Sequence, residues 1–275
     1  MRSEASSASI FAANRARGAV TFDVRSIDGV TRRGRLHESG SLRVRFPSPE
    51  DEGLSAVFVN TAGGVAGGDR FDIEIAAREG ARLTLTTAAA EKIYRATGQA
   101  AELNIALQVA HGAHLSWLPQ ETILFDQAPM SRRIDIDLAE GASLLLCEIV
   151  VFGRLAMGER MEQGAFVDRW RVRRGGSLVF AETVRLEGDI GRKLGQVAIA
   201  KAGVAIGAAL IVPGDEALVE RVREIGSFGG EAAISAWNGF AMARFCAQDA
   251  ACLRADMMAV LGRASLTPLP RLWLN

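Results

Sequence analysis

The sequence predicts a mainly β protein of stacked sheets, solenoid-like or layered, built from repeated strand-turn-strand units with two short C-terminal helices. Three observations predict it. A four-residue motif recurs as Gly80-Ala81-Arg82-Leu83, Gly112-Ala113-His114-Leu115, Gly141-Ala142-Ser143-Leu144 and Gly175-Gly176-Ser177-Leu178. Before each copy runs an alternating segment: Phe71-Asp72-Ile73-Glu74-Ile75, Leu103-Asn104-Ile105-Ala106-Leu107, Ile134-Asp135-Ile136-Asp137-Leu138 and Trp170-Arg171-Val172. The motif glycines lie 32, 29 and 34 residues apart. Period-two alternation is the mark of a half-buried strand, and glycine supplies the positive φ of a tight connection. A unit of this size cannot bury its apolar face alone and stacks on its neighbours.

The elements follow in order. Residues 1–17 read as a disordered N-terminal arm, and 18–275 as a single β-rich domain. Ala19, Val20, Phe22 and Val24 open the first strand; Leu42, Val44 and Phe46 mark a second. Pro47-Ser48-Pro49-Glu50-Asp51-Glu52-Gly53 is a loop, because proline cannot donate to a ladder. Leu54 to Asn60 is a short apolar strand, the four repeats fill Gly68 to Gly188, and Gln196 to Val212 reads as a buried strand or hairpin. After Pro213-Gly214 the period turns helical. Asp215 is placed to cap a helix with Leu218, Val219, Val222 and Ile225 on one face. A hairpin, Ala232–Trp237 and Phe240–Cys246, turns at Asn238-Gly239. Asp249 then caps a helix that runs to Gly262.

Composition bounds the function. A content of 49% hydrophobic residues in 275 supports a sizeable core, and equal numbers of basic and acidic residues, 32 each, give no net field toward nucleic acid or an anionic membrane. Cys147, Cys246 and Cys252 make an odd, unpaired set, which fits a reducing, cytoplasmic compartment. No stretch reads as a signal peptide or a membrane span.

Several clusters are candidates for chemistry. Asn60-Thr61-Ala62-Gly63-Gly64-Val65-Ala66-Gly67-Gly68-Asp69 holds four glycines in six residues; Asp69 would repel an anion, so a bulged corner is favoured over a phosphate cradle. Glu91, Glu121, Glu148 and Glu182 follow their motif glycines by 11, 9, 7 and 7 residues, and Asp126 closes the block that begins at Gln120. Stacked units would bring such acids near one another. Buried carboxylates must be paired, hydrated or bound to a cation. Two readings stand: an acid-lined passage, or neutralisation by Arg95, Arg154 and Arg185. Arg154 and Glu159 either pair with each other or face a partner. Arg271 and Trp273 of the closing tail either anchor a partner or pack back on the sheet. His111-x-x-His114 is a weak metal candidate, and no nucleophile elbow exists. A carbohydrate- or small-molecule-binding β-solenoid is the alternative, disfavoured by 6% aromatic content. A hydrolase with a carboxylate pair would need two acids in one open cleft.

The Gly-rich corner, Thr86-Thr87-Ala88-Ala89-Ala90-Glu91-Lys92-Ile93-Tyr94-Arg95, Gln120-Glu121-Thr122-Ile123-Leu124-Phe125-Asp126, Phe152-Gly153-Arg154-x-Ala156-x-Gly158-Glu159, Arg169-Trp170-x-Val172 and Pro270-Arg271-x-Trp273 stand in an order and spacing that resembles the urease accessory proteins UreD or UreH. The resemblance covers the chain from about residue 18 to its end. Thr87-Ala88 is a mild departure, since family members often carry Thr-Gln or Thr-Pro there. The resemblance implies a non-enzymatic β protein that joins UreF and UreG and docks on apo-urease, so that nickel reaches the urease site. It also implies an internal water-filled passage, with no tightly bound cofactor and only transient Ni²⁺. Asp69, Glu91, Glu121, Asp126, Glu148 and Glu182 are the expected passage residues, and Arg154, Glu159, Arg271 and Trp273 the expected partner contacts. Carboxylates hold a divalent nickel ion less tightly than thiolates or imidazoles, which suits release.

Overall fold

The computed structural model describes residues 15–47, 52–265 and 267–274. The expected arm therefore lies outside the described residues as far as position 14, as does the stretch 48–51 of the expected loop.

Two sheets face each other. The first has the order β14-β13-β11-β8-β5-β1-β2, from β1 (Arg17–Ile27), β2 (Val30–Ser39), β5 (Arg70–Ala77), β8 (Ala101–Val109), β11 (Pro129–Leu138), β13 (Gln163–Arg174) and β14 (Ser177–Asp189). The second runs β16-β17-β15-β12-β9-β6-β4-β3, from β3 (Leu42–Arg45), β4 (Leu54–Asn60), β6 (Arg82–Thr87), β9 (His114–Leu118), β12 (Ser143–Phe152), β15 (Ala205–Val212), β16 (Glu231–Trp237) and β17 (Phe240–Ala247). Two short strands, β7 (Glu91–Ile93) and β10 (Thr122–Leu124), make a narrow third face: Val65 bridges Ile93, β7 pairs β10, and β10 pairs the end of β12, all parallel. This is a β-solenoid of three-sided coils, closed at both ends by antiparallel strands.

The repeat explains the coil. The strand-turn-strand units stack as the sequence predicts. Gly80, Gly112 and Gly141, at φ +65°, +64° and +70°, carry the chain from the first sheet to the second. Only Gly175-Gly176 joins antiparallel neighbours, β13 and β14. The strands of each sheet then stack parallel and in register. Val20, Ile73, Ile105, Ile134 and Trp170 form one inner ladder. The motif leucines Leu83, Leu115 and Leu144 form the facing one. Each such side chain contributes about 1.5–3 kcal/mol by leaving water, so register is strongly specified.

β12 is buried on both faces. Leu144, Leu146, Val150 and Phe152 point between the sheets, while Leu145, Cys147, Ile149 and Val151 face the helices in a second core. Those helices are α2 (Glu216–Arg223) and α3 (Ala250–Ala264), preceded by a five-residue α1 (Ile190–Leu194) that the sequence reading missed. Asp215 and Asp249 accept the Leu218 and Cys252 amides at 2.8 Å, as N-caps do. Strand β2 was also missed, because Thr31-Arg32-Arg33-Gly34-Arg35 carries little apolar alternation. The run from Gln196 supplies a strand only from Ala205; residues before it form turns.

Candidate functional site

A buried ionic cluster lies between the two sheets. Arg132 of β11 and Asp168 of β13 are register partners, and the guanidinium grips the carboxylate with Nε to Oδ1 at 3.1 Å and Nη2 to Oδ2 at 2.6 Å. Its Nη1 donates to Glu148 Oε2 and to Thr122 Oγ1. Trp117 Nε1 donates to Glu148 Oε1 at 2.9 Å and Trp170 Nε1 to Asp168 Oδ2 at 3.2 Å. All four carboxylate oxygens are thus satisfied, and the three charged side chains are at most 7% exposed. Two acids share one cation. Burial pushes the Glu148 carboxyl up to about 7, against the pull of Arg132.

Two cavities flank this cluster. One, about 340 Å³, is lined by Asn60, Glu91, Trp117, Thr122, Arg132 and Glu148, and reaches the exposed bend at Ala88-Ala89. The other, about 400 Å³, is lined by Glu148, Asp168, Trp170, Glu182 and Ala208, and reaches the exposed side chains of Glu231 and Arg244. Glu148 lines both. Each has room for several waters. In the first, Asn60 Nδ2 donates to both oxygens of Glu91 at 3.2 Å, and burial pushes that carboxyl up to about 7.

The six sequence-chosen acids divide. Glu91, Glu148 and Glu182 reach the cavities; Asp69, Glu121 and Asp126 do not, which corrects the expectation of a single row. Asp69 clamps the Gly-rich corner by accepting the Ala16 and Ala66 amides at 2.8 and 2.7 Å. Asp126 accepts the Glu162 and Gln163 amides, which hold its carboxyl below the usual range despite its partial desolvation. Glu121 points away from the cavity to Arg254 of α3 at 2.7 Å. The neutralising partners also differ: Arg132, Arg254 and Arg244 take the roles assigned to Arg95 and Arg185. Among the described residues no group of three or more His, Cys, Asp or Glu is placed to hold a metal ion.

The partner candidates are placed as follows. Arg154 pairs with Glu159 and lies over the Phe125 ring, 4.4 Å from its centroid. Trp273 is 1% exposed, so the anchor expectation fails and the packing alternative describes it. Arg271 is exposed at the start of a 3₁₀ turn, Arg271–Trp273. His114 holds Ser143 and Ser116 hydroxyls at 2.8 and 2.9 Å, a structural use.

Sequence reasoning missed Arg132, Asp168 and Asn60. Phase was the available signal: Arg132 alternates with Met130, Ile134 and Ile136, and Asp168 with Phe166, Trp170 and Val172. A charge in the apolar phase of a strand is a charge inside.

A family model described as the UreD urease accessory protein matches residues 15–274. The chain belongs to that family. It is 79% identical over 277 residues to the urease accessory protein UreD of Bradyrhizobium diazoefficiens, covering all of both chains. It is 75% identical over 278 residues to urease accessory protein UreD 3 of Bradyrhizobium sp. strain BTAi1, again over the whole of both, and 75% identical to UreD of Rhodopseudomonas palustris strain BisB18 over 99% of each. The UreD family match leaves almost no described residue outside it. No helix among the described residues is long and apolar enough to cross a membrane.

Proposed function

We propose that this UreD-family chain is a non-catalytic, cytoplasmic maturation factor for urease that conveys Ni²⁺ through its interior. The observation that carries the reading is Glu148, the residue that lines both cavities. Nickel is cargo here and no cofactor is needed. An ion entering at the Ala88-Ala89 bend first meets Glu91, whose raised pKa makes proton-for-metal exchange inexpensive near neutral pH. It next meets the Glu148–Arg132–Asp168 cluster, where two carboxylates outweigh one guanidinium. Glu182 and Glu231 follow, with Glu182 held to Arg244 at 2.7 Å. Oxygen ligands backed by arginine bind a divalent ion weakly enough to let it go.

The family reading supplies the partners: UreF and UreG on the donor side, with apo-urease as acceptor. The rival reading, a carbohydrate- or small-molecule-binding solenoid, has less support, because the larger cavity lies between sheets and ends on acids.

The test is urease activity and nickel content in cells carrying all urease genes, with this gene intact, deleted, or carrying Glu148→Gln plus Glu91→Gln. The reading expects deletion to abolish activity, and the double variant to form the complex yet leave urease poor in nickel. Full activity after deletion would overturn it.

A further inference from the structure

The C-terminal tail is tied to the wall of the inner cavity by an unbroken set of hydrogen bonds. Arg254 of α3 donates through Nη1 to Gln120 Oε1 at 2.8 Å and Glu121 Oε1 at 2.7 Å, and through Nη2 to the Leu272 and Trp273 carbonyls at 3.2 and 3.1 Å. Its guanidinium also lies 4.8 Å from the Trp273 ring centroid. Trp273 Nε1 donates to the Leu118 carbonyl at 2.9 Å, and Gln120 Nε2 to that of Leu272 at 3.1 Å. Leu118 ends β9, Pro119–Glu121 is the bend between β9 and β10, and Gln120 itself lines the smaller cavity.

The chain of contacts continues inward. The Gln120 amide donates to Thr87 Oγ1 at 2.9 Å, and the Glu91 amide to the Glu121 carbonyl at 2.8 Å. Trp117, one residue before Leu118, holds Glu148, and Thr122, one residue after Glu121, holds Arg132. The tail thus satisfies the Leu118 carbonyl, Arg254 holds the Gln120 and Glu121 side chains, and Thr87 and Glu91 take up the Gln120 amide and the Glu121 carbonyl, which leaves this stretch little conformational freedom of its own.

We propose that the tail Pro270–Trp273, clamped by Arg254, is the positioning element that fixes the cavity wall from Trp117 to Thr122 and with it Glu91 and Glu148. Arg254 and Trp273 touch no passenger ion; Arg254 acts through Gln120 and Glu121, and Trp273 through Leu118. The functional half of this inference rests on the conduit reading, and the structural half stands without it.

The experiment is hydrogen exchange by mass spectrometry on the full-length chain carrying Trp273→Phe, Arg254→Gln or Arg254→Lys, with nickel per urease measured in cells at matched amounts of complex. Trp273→Phe keeps an aromatic ring in the site while removing the Nε1 donor to Leu118 and part of the indole's buried volume, and leaves Arg254 in place, so it is informative if Arg254→Gln fails to fold. The expected result is exchange about tenfold faster in peptides spanning 86–93 and 117–124 for Arg254→Gln. A smaller rise is expected for Arg254→Lys, which keeps the charge without the fork, and nickel delivery falls in the same order. Faster exchange confined to 250–274 would overturn the proposal. Faster exchange in the bend with nickel delivery unchanged would support the positioning role and count against the conduit.

Discussion

Trp117 and Glu148 are joined by a 2.9 Å hydrogen bond from indole to carboxylate, on adjacent strands β9 and β12, and Glu148 lines both cavities. The bond satisfies one oxygen of a buried acid and leaves the other for Arg132. Such a cluster tolerates neutralisation of one acid better than loss of its cation.

Arg132→Met is therefore expected to destabilise the protein by roughly 3–5 kcal/mol, since it strands two buried carboxylates. Glu148→Gln keeps the acceptor for Trp117 and leaves Asp168 on Arg132, and is expected to cost about 1–2 kcal/mol. Denaturant midpoints of the two variants check the order; equal losses would contradict it.

The acids also set a pH dependence. Burial pushes Glu91 and Glu148 to about 7 in the folded chain, above the 4.5 of a free glutamate. Between those values the folded state holds protons that the unfolded state has released, so their contribution to stability falls as pH rises from about 4.5 to 7 and is level above. Wild type is expected to gain on a Glu91→Gln plus Glu148→Gln variant as the pH drops from 7 to 5. Equilibrium unfolding at those two pH values measures the gap.

His114 has the opposite sign. Burial, aided by Arg82, lowers its pKa to about 4 against an ordinary 6.5, so its contribution is lost as pH falls through that interval. Its imidazole signals in an NMR titration are expected to stay at their neutral positions from pH 8 to 5.

Two glycines of the Phe152–Glu159 block separate backbone strain from crowding. Both have positive φ, +104° at Gly153 and +71° at Gly158. A Cβ on Gly153 would lie 2.4 Å from the Glu159 carbonyl oxygen, whereas one on Gly158 meets nothing within 4 Å. Gly158→Ala is expected to cost about 1–2 kcal/mol, the penalty of the left-handed region, and Gly153→Ala clearly more. Thermal unfolding of the two variants tests it.

The solenoid was legible because its repeat is written in residues that do one job: a glycine in the left-handed region at each arch, and a leucine after it on the inner ladder. Helix caps at Asp215 and Asp249, and the Asn238-Gly239 hairpin, were legible for the same local reason. What stayed hidden was relational. Whether Gly80 turns within a sheet or between two depends on which strand pairs with which, and glycine permits both. Similar spacing from the motif glycines grouped Glu121 with Glu148, yet Glu121 flanks β10 and faces α3, while Glu148 occupies the inner phase of β12. Arg132 and Asp168 were open to discovery by phase alone, since each interrupts an apolar alternation. The burial of Trp273 depended on Arg254 and Leu118, contacts that no local pattern encodes.

The central claim is that nickel moves through the two cavities, and the most direct measurement occludes one of them without removing an acid. Ala208 shares a rung with Glu148 and Arg244 and lines the larger cavity. Nickel per urease would be measured for Ala208→Phe, at wild-type levels of the assembled complex. The account predicts normal complex and strongly reduced nickel; normal complex with normal nickel would contradict it.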